Sequence, residues 1–75
     1  MSYDYFFSET THVNSYRQAQ KLNAKTLTEA KKEASRRQFF YGTVLKIAFK
    51  SGLNEEGLLI DPISIKSKNK WYDQE

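Results

Sequence analysis

Thr26 and Glu29 have the S/T-x-x-E spacing in which a hydroxyl and a carboxylate satisfy the free backbone amides at a helix start. The spacing predicts a helix from about Leu27 to Arg37. At 100° per residue, Leu27, Ala30 and Ala34 form one narrow apolar stripe, with Lys32 and Arg36 on the opposite side. Two alanines suit close approach to a sheet. Lys31 and Arg37 flank the stripe, where their stems can cover apolar surface while the charges reach water. Glu29 and Glu33 lie within reach of Lys32, Arg36 and Arg37, the pattern of a salt-laced solvated face.

Strand-like segments surround this helix. Residues 2–9 alternate Tyr3, Tyr5 and Phe7 against Asp4, Phe6 and Ser8, a period of two that suits a half-buried strand. Residues 39–50, "FFYGTVLKIAFK", read as the main strand. Tyr41, Thr43, Leu45, Ile47 and Phe49 fall on its core face, and Phe40, Val44, Lys46 and Ala48 on the other. The turn-rich "SGLNEEG" places a connection at about residues 51–57. "LLIDPISIK" resumes strand character, with Pro62 marking an edge, bulge or break, and "KNKWYD" suits a last short strand with Asn69 at its turn and Trp71 inward. Residues 10–25 stay ambiguous. Ser15 and Gln18 could cap a helix carrying Tyr16, Ala19 and Leu22, yet Leu22 and Ala24 also alternate with Lys21, Asn23 and Lys25.

The expected fold is therefore α+β: a single α-helix packed on an antiparallel sheet of four to five strands, in one domain spanning residues 1–75. A chain of 75 residues without cysteine must hold that domain together by packing alone. One helix covers one sheet face, so the other is expected to meet solvent or a partner, which draws attention to Phe40 and Val44. No apolar run approaches membrane-spanning length, and no basic region precedes the first apolar residues; a soluble, unexported monomer is expected.

Chemistry finds little support. His12 is the sole histidine, no G-x-S-x-G is present, and Gly42, Gly52 and Gly57 are too dispersed to cradle a phosphate. No enzyme activity, cofactor or metal is expected. The net charge of +3 favours acidic partners and does not suit a DNA mimic. Cations on the outer helix face, followed by Gln38 and Phe40, would make a site for a polyanion or an acidic protein. A weaker basic row, Lys66, Lys68 and Lys70, would share one face if that segment were extended.

The run "TLTEAKKEASRRQFFYGTVLKI", with the later "KNKWYD", resembles the ninth-named family of small phage anti-CRISPR proteins that inhibit type I-F systems. Thr26, Leu27, Ala30, Lys31, Ala34, Ser35, Gln38, Phe40, Gly42, Thr43, Val44, Ile47 and Trp71 carry the resemblance. The N-terminus differs, and residues 52–65 contain an apparent insertion. The resemblance implies a five-stranded antiparallel sheet with one helix, making the segment around residues 17–25 a strand. It implies binding to the backbone subunits of a crRNA-guided surveillance (Csy/Cascade) complex in the cytoplasm of an infected bacterium, on a lysine-lined surface that target DNA needs. The positions matching that contact are Lys31, Lys32, Arg36, Gln38 and Phe40. It also implies promotion of nonspecific duplex-DNA binding, for which Arg37, Lys66, Lys68 and Lys70 are candidate phosphate contacts. The alternative is a small basic nucleic-acid-binding accessory protein of a phage or mobile element.

Overall fold

The computed structural model describes residues 4–74; Tyr3, expected in the first strand, lies outside the described residues. The elements are β1 (Tyr5–Thr10), β2 (Gln20–Lys21), α1 (Leu27–Arg36), β3 (Val44–Phe49), β4 (Ser64–Ser67) and β5 (Lys70–Asp73), with a single 3-10 turn after β3. The strands form one antiparallel sheet in the order β2-β1-β3-β4-β5. The α+β architecture and the five strands are as expected. Gln20–Lys21 pairs with Phe6 and Phe7, and Leu22 and Ala24 are buried beyond it, so the alternating reading holds over the helical one, although the strand is two residues long rather than spanning 17–25.

Helix α1 starts where its cap places it. The Thr26 hydroxyl accepts from the Glu29 amide at 3.2 Å, and the Glu29 carboxylate reaches back to the Lys25 amide at 3.4 Å, one residue before the cap. Ala30 and Ala34 are fully buried against Tyr5, Phe7, Leu45 and Ile47, with Leu27, Phe49, Ile63 and Trp71 packed around that cluster. A small-residue stripe lets the helix axis lie close to the sheet, so large strand side chains fill the layer.

Glu33 departs from the expected solvated face. It is buried, and both carboxylate oxygens accept from the Asn23 amide, at 2.9 and 3.1 Å, while Arg37 donates to one of them at 3.3 Å. The carboxylate ties the β2–α1 connection to the helix, and those hydrogen bonds make its burial tolerable.

The far face of the sheet is also covered, contrary to expectation. Leu59 donates to the Arg17 carbonyl at 3.0 Å and Ala19 to that of Gly57 at 2.9 Å, joining two loop segments into a strap. Val44, Lys46 and Ala48, all on that face, are buried. Lys46 donates to the Ser15 carbonyl at 2.7 Å and lies 5.0 Å from the centre of the Tyr16 ring. Burial pushes its ammonium below the ordinary lysine range. Just before the second strap segment, the chain passes close to the Asp61 backbone at Gly52, where an added Cβ would collide with the Asp61 carbonyl. Irregular chain with paired backbone groups therefore replaces the second helix that the sheet lacks.

The main strand begins later than its alternation predicts. Phe39, Phe40 and Tyr41 belong to a loop, and Tyr41, expected on the core face, is 93% exposed. Pro62 falls in the break before β4, and the Lys68–Asn69 turn, with positive φ at both residues, reverses the chain between β4 and β5.

Candidate interaction surface

The loop between α1 and β3 gathers three consecutive aromatic residues at the surface. Phe39 and Phe40 are 82% and 63% exposed, and their rings meet edge to face with centres 5.0 Å apart. Asn69, in the β4–β5 turn, donates to the Tyr41 hydroxyl at 3.5 Å. Rings so exposed are fixed from below by Glu9 at the end of β1. One carboxylate oxygen accepts from the Phe39 amide and the other from the Phe40 amide, each at 2.8 Å, and the Thr43 hydroxyl also donates to the carboxylate. Gln38 donates its side-chain amide to Thr43 at 3.0 Å, closing the network. Gly42, at φ +84°, then turns the chain into β3. Burial pushes the Glu9 carboxyl up, but the Thr43, Phe39 and Phe40 hydrogen bonds, with Arg17 nearby, outweigh it and hold the group below the ordinary glutamate range.

Beside the loop runs an open groove of about 670 Å³ whose walls include Glu9, Arg17, Gln18, Arg37, Phe39 and Phe40. A second concavity, about 500 Å³, lies between helix and sheet edge and brings Lys31, Lys32 and Arg36 together with Thr28, Ser35 and Trp71. Lys31 is half-buried, paired with Asp73 at 2.8 Å and 6.0 Å from the Trp71 ring centre. Hydrogen bonds from Lys31 and Ser64 hold the Asp73 carboxyl below its usual range against a smaller opposing effect of burial. Lys32 and Arg36 are exposed, and their side chains make no ion pair or hydrogen bond among the described residues.

Compared with proteins already known, the chain matches no family model and no curated protein. Among solved structures, AcrIF9 matches it with a TM-score of 0.81 and 32% sequence identity, over 100% of this chain and 90% of that one. The chain belongs to the AcrIF9 family of anti-CRISPR proteins.

The residues singled out from sequence divide into groups on this AcrIF9-like scaffold. Lys31, Lys32 and Arg36 converge on the helix notch, whereas Gln38 and Phe40 belong to the Glu9-held loop. Arg37 stays exposed but folds back onto the sheet edge: its guanidinium bonds Glu33, the Lys21 carbonyl and Gln20, and lies 5.0 Å from the Phe7 ring centre. The row Lys66, Lys68, Lys70 does not share a face. Lys66 points under the helix to the Ser35 hydroxyl at 3.0 Å, Lys68 occupies the turn, and Lys70 stands 5.7 Å from the Tyr72 ring centre on the other face. A shared face required that segment to be extended, and the Lys68–Asn69 turn breaks the extension. Sequence reading missed Glu9; its one signal was a charged residue in phase with Tyr5 and Phe7 on the core side of a strand.

Proposed function

We propose that this protein is a stoichiometric, non-catalytic inhibitor of a type I-F crRNA-guided surveillance complex. It seats the end of α1 and the aromatic loop on the backbone subunits and so prevents target DNA from pairing with the guide. The observation that supports this reading most is the whole-chain similarity to AcrIF9, to which the exposed ring of Phe40 adds a physical means of attachment. An aromatic side chain held above the surface loses little conformational freedom on docking and removes much apolar area from water, the usual profile of an interface anchor. On a lysine-lined partner surface the affinity comes from the ring and from Gln38, whose amide oxygen is not used in the Thr43 bond. Lys32 and Arg36, whose side chains have no partner among the described residues, act on phosphates of guide RNA or duplex DNA and thereby recruit DNA to the inhibited complex.

Capture of purified type I-F surveillance complex by the tagged protein, followed by target-DNA binding, tests the proposal. Co-purification and loss of guide-dependent binding are expected, and no association at micromolar concentration would sink it. A gel shift on naked duplex DNA over a salt series separates the rival. Binding without the complex, weakening steeply as salt rises, favours a direct nucleic-acid-binding protein.

A further inference from the structure

Phe39 and Phe40 are exposed, yet their backbone amides are not free: both donate to the carboxylate of Glu9, about thirty residues earlier in the chain and on a different element. The Thr43 hydroxyl donates to that carboxylate, lies within hydrogen-bond distance of the Phe40 carbonyl at 2.9 Å, and accepts from Gln38. Loop and helix end are thereby joined through one acceptor. An exposed loop of this length has no core of its own to hold it, because its rings point away from the sheet and the following residue is a glycine at positive φ. The conformation that presents the rings is therefore set by a hydrogen-bond network centred on the Glu9 carboxylate.

We infer that Glu9 is a positioning residue of the interaction surface, holding the Phe39–Thr43 loop in the arrangement that docks and so acting on the partner through Phe40 rather than by touching it. The inference rests on the reading that this loop contacts the surveillance complex. It adds a residue outside the helix-to-strand run that carries the family resemblance.

A ligand-ready loop binds at its intrinsic affinity, whereas a loop that samples that arrangement one-tenth of the time binds roughly tenfold more weakly. Glu9→Gln nearly preserves shape but replaces one acceptor oxygen with an NH2 group that faces an amide donor, so only one of the two amides can be satisfied. Thr43→Val removes the hydroxyl from the opposite side of the same network and serves as a second variant.

Two measurements on the full chain decide the matter. On the free protein, amide exchange followed by NMR should show Phe39 and Phe40 exchanging faster in Glu9→Gln and in Thr43→Val, with the Ala30 and Ala34 amides unchanged. With purified type I-F complex, Glu9→Gln should weaken association about tenfold in the otherwise unmodified protein. In a Phe40→Ala background, read at higher protein concentration, it should weaken association much less, because a residue acting through the ring has little left to act on. An equal loss in both backgrounds, unchanged association, or unchanged exchange at Phe39 and Phe40 overturns the inference. If the unmodified protein does not associate at all, the functional reading falls, and the exchange data still decide whether Glu9 fixes the loop.

Discussion

Helix α1 and the loop that follows it are contiguous in the chain and held in opposite ways. The helix carries its own instructions: a threonine cap, a glutamate one turn later and two buried alanines at i, i+4. The loop of Phe39–Thr43 carries almost none, and its backbone is fixed by Glu9 from across the fold. Local information specifies the scaffold here, and a long-range contact specifies the surface that the scaffold displays. A carboxylate can do so because two amides, a hydroxyl and a nearby guanidinium together outweigh its desolvation.

The contrast breaks first at Ala30. Ala30→Glu puts an unpaired carboxylate into a fully buried position and should cost about 4 kcal/mol or more, abolishing the cooperative melting transition followed by circular dichroism. Phe40→Ala should do the reverse. With the ring 63% exposed, the thermal midpoint should stay within a few degrees while association with the surveillance complex weakens by about 2 kcal/mol. A large drop in midpoint would mean that the ring is buried in solution. Thr26→Ala sharpens the helix side of the comparison, since losing the cap hydroxyl should destabilise the domain by about 1 kcal/mol and leave association per folded molecule unchanged.

Smaller effects follow from charge and pH. Reversal of Lys32 and Arg36 to glutamate should slow association several-fold at low salt, less as salt rises, with no loss of fold, measured by stopped-flow mixing with the complex. The smallest effect concerns Glu9 itself. Its folded-state pKa is lowered, so its contribution is fully present above the ordinary glutamate value of about 4.3 and is lost only as pH falls through the lower folded value. Exchange at Phe39 and Phe40, corrected for the intrinsic pH dependence, should be flat from neutrality to about pH 5 and rise in stronger acid.

Much of the fold was legible where sequence periodicity and chemistry agree. The cap at Thr26, the alanine stripe, the alternation of Tyr5 and Phe7 and the turn at Asn69 each act over a few residues, and each is found in place. Errors arose where alternation continued past the physical end of a strand: "FFYGT" alternates as well as "VLKIAF", but pairing starts at Val44, opposite the last residue of β1, and the Phe39 and Phe40 amides go to Glu9 instead of a ladder. Glu33 was misread because a helix wheel cannot show the Asn23 amide that draws it inward. The lysine row needed an extended segment to share a face, and the two-residue turn at Lys68–Asn69 places its members on different faces.

The chain by itself determined where the helix after Thr26 would start, that its alanine side would face an antiparallel sheet, and that cations would crown its outer side, since these follow from spacing and side-chain size. Tertiary structure alone decided that a strap would seal the second face over Lys46, that Arg37 would be engaged by Glu33 and the β2 edge, and that three aromatic residues would stand exposed on a fixed loop. The reason is one of range: spacing encodes which side of an element is apolar, whereas hydrogen bonds between residues some thirty positions apart exist only once the sheet has brought them together.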